Sequence, residues 1–296
     1  MKHTSFRACA ALAILFSISH GAFAASAHTW VASTGSDSNS GTRLSPYATL
    51  QKAIDNTTAG GTVSIVDVGD YGKITIAHAV TIDGGGPRCS IAFPTGDGVT
   101  VSAATTDQVV LHNLDIDGNG TGSNGITVNS GVVTVDNCSI RGFTTYGIFF
   151  ASTALETVDM KDTTIVGGSV GVRSSNAAAG PDKLSMRDCT INQASDCGML
   201  MRVGLADVTD CTIANCANGI ETDTSASVSL TGCTISGNGT GILAFTGTTI
   251  RLSKCSLLDN TTGVNRAGGT LLTLHNNINI TSGAAGSKPS ANSATF

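Results

Sequence analysis

Met186-Arg187-Asp188-Cys189-Thr190-Ile191, Val208-Thr209-Asp210-Cys211-Thr212-Ile213, Leu230-Thr231-Gly232-Cys233-Thr234-Ile235 and Leu252-Ser253-Lys254-Cys255-Ser256-Leu257 are copies of one hexapeptide, each 22 residues after the last. The pattern extends upstream through Met160-Lys161-Asp162-Thr163-Thr164-Ile165, Val135-Asp136-Asn137-Cys138-Ser139-Ile140 and Leu111-His112-Asn113-Leu114-Asp115-Ile116. Downstream it continues as Leu274-His275-Asn276-Asn277-Ile278-Asn279. The fourth positions step by 24, 25 and 26 residues and then four times by 22. A fixed period of this kind is the mark of a solenoid, in which each repeat buries its apolar face against its neighbours.

The columns of the repeat define its geometry. The first and sixth are apolar and face a core. The third is Asn, Asp or Gly in all copies but one (Lys254). Those residues tolerate the left-handed backbone region, so each turns the chain sharply between two short strands. The fifth column is mostly Ser or Thr, which suits an outward strand position. A second motif precedes each copy: Gly125-Ile126, Gly147-Ile148, Gly171-Val172, Gly198-Met199, Gly219-Ile220, Gly241-Ile242 and Gly263-Val264. Each glycine is read as a tight turn into a third strand. A helical solenoid needs apolar residues every three to four positions over ten or more residues, and a propeller needs repeats of about 40. Neither fits. Coils of 22 residues with three strands fit a parallel β-helix, all-β, of about 8–9 coils and about 40 Å long at 4.8 Å per coil.

The Gly-Ile strands and the Asn-Cys-Thr-Ile style turns resemble the repeats of right-handed parallel β-helices of the pectin-lyase-like superfamily. Thr29-Trp30-Val31-Ala32-Ser33-Thr34-Gly35-Ser36-Asp37, followed by Pro46-Tyr47-Ala48-Thr49-Leu50-Gln51-Lys52-Ala53-Ile54, is similar to the lead-in segment of secreted members. Val80-Thr81-Ile82-Asp83-Gly84-Gly85-Gly86 and Asn113-Leu114-Asp115-Ile116-Asp117-Gly118-Asn119-Gly120 resemble their early coils. The resemblance implies a right-handed coil and a polysaccharide held on the face of the Gly-Ile strands. It is far more specific for fold than for activity, since the superfamily hosts lyases, hydrolases, epimerases and adhesins.

The flanks are read as follows. Lys2 and Arg7, the apolar run Ala8 to Ile18 and Ala22-Phe23-Ala24 make residues 1–24 a signal peptide, cleaved after Ala24 or, as second choice, after Ala27. The run is too short to span a bilayer of about 30 Å. Residues 25–62 form a lead-in strand and an N-terminal cap, with a short helix over 44–57, Ser45 at its N-cap and Pro46 in its first position. The β-helix fills 63–280, and 281–296, rich in Ser, Ala, Gly and Asn, is a flexible tail. The expected compartment is extracellular or periplasmic. Without Lys2 and Arg7 the cations fall from 16 to 14 against 21 acidic residues, a net charge of −7. With no basic run, nucleic acid is excluded as a partner, and an acidic polysaccharide needs a local basic patch.

Cys9 leaves with the leader, and eight cysteines remain. Zinc spacings are absent, so no metal or cofactor is expected. Cys138, Cys189, Cys211, Cys233 and Cys255 share one inward column. There, parallel side chains hold the sulfurs near the coil spacing rather than at bonding distance. Cys197 and Cys216, on adjacent coils, are the candidate disulfide.

Strand alternation sets the outward residues of the Gly-Ile strands. One column reads Thr127, Phe149, Arg173, Leu200, Glu221, Leu243, Asn265; the next reads Asn129, Ala151, Ser175, Arg202, Asp223, Phe245. Arg173, Arg202, Glu221 and Asp223, flanked by Phe149 and Phe245, are the candidate ligand-binding residues. A β-eliminating lyase needs a base and a cation at the uronate carboxylate; a glycosidase needs two carboxylates at a set spacing. The cluster completes neither constellation, and Arg202 beside Asp223 also fits a plain surface ion pair. Elsewhere Lys161 and Arg187 stack beside Asp136, Asp115 and Asp117 shape a turn, and His112 and His275 end one column too far apart to act together. The Ser/Thr column Ser139 to Ser256 lacks the flat companion column that ice binding would favour. The expected function is a non-catalytic glycan- or surface-binding protein whose partner is a polysaccharide or cell-surface glycan. The alternative is a polysaccharide lyase or related carbohydrate enzyme.

Overall fold

In the computed structural model of the chain, residues 25–86, 89–151, 156–174, 182–274 and 276–281 are described. They form a parallel β-solenoid of about nine turns with almost no helix. Residues 1–24, read from the sequence as a signal peptide, and those beyond Thr281, read as a tail, lie outside the described residues.

One coil shows how the repeat folds. Face 1 is the strand Ser227–Thr231, face 2 is Thr234–Ser236 and face 3 is Thr240–Phe245. Each pairs in parallel with strands of the coils before and after. Val228 lies between Ala206 and Ile250, Ile235 between Ile213 and Leu257, and Ile242 between Ile220 and Val264. All of these residues are buried. Alternation does the rest, placing one set of side chains in a continuous core and the other in solvent.

The bend between faces 1 and 2 is left-handed, as its residue types require. φ is 57° at Asn113, 51° at Asn137, 48° at Asp162, 55° at Asp188, 51° at Asp210, 68° at Gly232 and 55° at Lys254. A second left-handed bend joins faces 2 and 3 at Gly142, Gly167, Gln193, Asn215, Gly237 and Asp259. Sequence reading missed it because Gln193 and Asp259 obscure the glycine column. The Gly-Ile glycines play a different part from the one expected. They do not adopt positive φ; they admit close packing. A Cβ on Gly171 would meet Ile191 Cγ2 at 2.4 Å and the Gly198 carbonyl oxygen at 2.5 Å.

The thiol column is inward. Cys138, Cys189, Cys211, Cys233 and Cys255 are buried and free. Each sulfhydryl donates to the carbonyl two residues earlier, at 3.2 Å for Cys189 to Arg187 and for Cys211 to Thr209. Thr163 fills the same place with the same bond, 2.9 Å to Lys161. From Cys138 to Cys255 the position thus holds a small side chain that also donates, which explains why Cys and Thr interchange there. Cys197 and Cys216 are likewise buried free thiols, bonding to the carbonyls of Met199 (3.1 Å) and Ala214 (3.2 Å). Cys197 lies opposite Asn218 rather than Cys216, and the candidate disulfide is not formed.

A second internal column was not foreseen. Cys216, Asn238 and Asn260 recur at 22 residues. Asn238 Oδ1 accepts from the Cys216 amide (2.9 Å), Asn260 Oδ1 accepts from the Asn238 amide (3.0 Å), and Asn260 Nδ2 donates to the Ile235 carbonyl (2.8 Å). Burial at 2% and 0% is tolerable only because these amides are satisfied.

The ends depart from expectation. The helix is Leu50–Asp55, not 44–57, and its N-cap is Thr49 rather than Ser45. The Asp37 carboxylate accepts from the amides of Ala48 (3.0 Å) and Thr49 (2.9 Å), and Tyr47 bridges Val31, so the chain around Pro46 is held extended. Leu50, Ala53 and Ile54 then pack against the first coil. In the last coil Leu252 pairs with Thr273 instead of Leu274, because the turn before it is one residue shorter. Leu274 and Ile278 are left 56% and 53% exposed.

Candidate functional site

The outward columns of face 3 stand in the expected register. Phe149 lies between Thr127 and Arg173, Leu200 between Arg173 and Glu221, and Leu243 between Glu221 and Asn265. Arg202, Asp223 and Phe245 follow one position after the pairs Met201–Thr222 and Thr222–Ala244, in the adjacent column. Phe149, Arg173, Arg202, Glu221, Asp223 and Phe245 are all partly exposed. Ser175 lies outside the described residues.

Tyr146 was missing from the sequence reading, and it organises the site. It precedes Gly147 and so stands in a third column, between Asn124 and Val170, that continues through Cys197 and Asn218. Val170, Cys197 and Leu200 form a small apolar cluster against which Tyr146 packs. Leu200, read as outward, is therefore only 7% exposed. Tyr146 and Phe149 have ring centroids 4.7 Å apart. The Arg173 guanidinium lies 4.8 Å from the Tyr146 centroid and 5.6 Å from that of Phe149, and its Nη1 donates to the Tyr146 hydroxyl. Stacking of this kind fixes a cation in place, and the Arg173 Nε is buried without a hydrogen-bond partner.

Electrostatics separate the two sides of the cluster. Burial, and then the neighbouring positive charge of Arg202, hold the Arg173 guanidinium below its usual range. The Arg202 backbone amide is anchored by Ser174 Oγ at 2.8 Å. On the next coil Glu221 accepts from Asn218 Nδ2 at 3.0 Å. Burial raises the Glu221 carboxyl above the ordinary carboxylate range. Asp196 and Asp223 raise it further, while Asn218 and Arg202 oppose them. Asp196 and Asn218 also escaped the sequence reading, since they lie before the glycine, where no alternation was assigned. Asp223 Oδ1 accepts from the Thr224 amide at 2.7 Å, which ties it to its own turn.

The other charge clusters are structural. Arg141 reaches Asp115 and Asp117, each at 2.6 Å, so that pair does more than shape the turn. Lys161 pairs with Asp162 at 3.2 Å, and His112 with Asp136 at 3.1 Å. Among the described residues no group of three or more His, Cys, Asp or Glu could hold a metal ion, and no helix is long and apolar enough to cross a membrane.

The fold and the face together define a right-handed parallel β-helix, and residues 173–295 match the family described as the right-handed β-helix region. Among solved structures the chain is similar to pectate lyase Pel9A, with 13% identity, a TM-score of 0.62, and coverage of 89% of this chain and 79% of that one. It is also similar to the GH136 lacto-N-biosidase of Eubacterium ramulus, with 12% identity, a TM-score of 0.52, and coverage of 83% of this chain and 57% of that one. At these identities the likeness is one of fold. No curated protein matches the sequence significantly.

Proposed function

We propose that this chain is an exported β-helix protein whose face 3 binds an acidic glycan without turning it over. The observation that carries the reading is the pair Arg173 and Arg202. Arg173 is held by Tyr146 and Phe149 beside a second guanidinium, and an anion placed between the two relieves their repulsion. Arginine forks suit carboxylate or sulfate groups, and Phe245 and Leu243 offer apolar surface to a sugar ring. Because the chain is acidic overall, this local patch is what lets an acidic polymer dock. Binding rather than chemistry is favoured because the two candidate carboxylates are engaged. Glu221 is held by Asn218 and Asp223 by its own turn.

The test is a panel of polygalacturonate, alginate and sulfated glycans. Saturable binding with no release of unsaturated uronates or reducing ends supports the proposal. Release of unsaturated products establishes the lyase reading instead, and absence of binding to every acidic glycan refutes both.

A further inference from the structure

Face 1 carries a second, chemically opposite feature. Its strands Glu156–Lys161, Lys183–Arg187 and Leu205–Thr209 are paired in register. One outward column therefore runs Asp159, Ser185, Asp207, and the next runs Thr157, Lys183, Leu205. These six residues, over the backbone of Leu184, line an open depression of about 220 Å³. The two carboxylates stand two coils apart, roughly 10 Å by strand spacing. Ser185 lies between them and Lys183 lies beside it. Among the described residues, none of the side chains of Asp159, Lys183, Ser185 and Asp207 makes a hydrogen bond or ion pair within the chain. Leu205 is 50% exposed at the edge of the same depression.

Four acidic residues elsewhere on the surface are paired: Asp115, Asp117, Asp136 and Asp162 each have a cationic or histidine partner. Two carboxylates beside one ammonium give the lining of the depression a net negative balance, unlike the paired guanidiniums of face 3. The carboxylates and the ammonium offer alternating acceptors and donors, which matches vicinal hydroxyls, since each hydroxyl both donates and accepts. The exposed Leu205 gives the apolar face of a sugar ring a place to rest. We propose that this depression is a second carbohydrate subsite, one that takes a neutral hexose unit of a polysaccharide.

The inference stands apart from the reading of face 3 and is tested separately from it. The probes are hydroxyethylcellulose and galactan, with polygalacturonate as the acidic counterpart, measured by affinity electrophoresis on the mature chain. The variants are D159N/D207N and, separately, K183A; all lie on the exposed face, and thermal melts check their folding. At least tenfold weaker retention by a neutral polymer in D159N/D207N, with polygalacturonate binding unchanged, is the expected result. Arg173→Ala/Arg202→Ala should show the reverse pattern. The proposal is overturned if the wild-type chain binds neither neutral polymer. It is equally overturned if D159N/D207N and K183A, both folded, retain that binding in full.

Discussion

Ile213 offers the sharpest test of how the coils are built. It is fully buried between Ile191 and Ile235, and its Cγ2 abuts Gly198, where an added Cβ would approach it to 2.5 Å. A side chain so enclosed by neighbours above, below and beside it leaves a cavity that cannot collapse when it is truncated. Ile213→Ala should therefore cost about 2–5 kcal/mol. In a domain of this size that corresponds to a fall in Tm of very roughly 5–15 °C. Ile213→Asp should be far worse, because it buries a carboxylate with no partner in the column. The control is the adjacent outward residue. Thr212→Ala should change stability by no more than about 0.5 kcal/mol. Thermal unfolding followed by circular dichroism measures all three. If Ile213→Ala melts with the parent chain while Thr212→Ala falls by several degrees, the inward and outward faces have been exchanged and the core assignment is wrong.

Three other outcomes follow from particular residues. Gly171→Ala should destabilise by about 1–3 kcal/mol through overpacking against Ile191 and the Gly198 carbonyl, and an unchanged melt would remove the close-packing role given to that glycine. Thiol titration of the denatured chain under non-reducing conditions should find all eight cysteines from Cys89 to Cys255 free; finding two or fewer of them free would mean that the inward column is cross-linked. Glu221 has a folded-state pKa raised by burial and by Asp196, so its protonated form is favoured in the folded chain; the stability it lends is complete at low pH and is lost as pH rises through its folded value. Protonation also removes a negative charge beside Arg202, so binding of a permanently ionised sulfated dextran should tighten as pH falls through that range, and Glu221→Gln should flatten the dependence.

Much of the architecture was legible because it is periodic. A 22-residue recurrence of apolar, turn-forming and hydroxyl positions leaves few alternatives, and the register of face 3 followed from alternation alone. What escaped notice breaks the period or lies beside it. Thr49 replaced Ser45 as the N-cap because the carboxylate of Asp37, twelve residues away, holds the backbone at Thr49 extended. The final coil slipped by one residue because a turn shortened, and composition does not show that. In the site, both arginines were visible from their columns. Tyr146 was not, because the strand was read as starting at the glycine, so alternation gave the residue before it no direction although that residue is itself in the strand. The Asn238–Asn260 ladder had a signal in its 22-residue spacing, but two asparagines in a turn read equally well as ordinary turn formers.

The most direct test of the acidic-glycan face compares two double variants by titration calorimetry against polygalacturonate or whichever acidic glycan binds. Arg173→Ala/Arg202→Ala removes two sets of charge-assisted hydrogen bonds and should weaken binding by about a hundredfold or more. Lys161→Ala/Arg187→Ala removes equal charge from face 1 and should leave affinity within about threefold, the residual effect of long-range charge. If the second variant loses the glycan and the first keeps it, the ligand lies on face 1 and the role given to Arg173 and Arg202 is wrong.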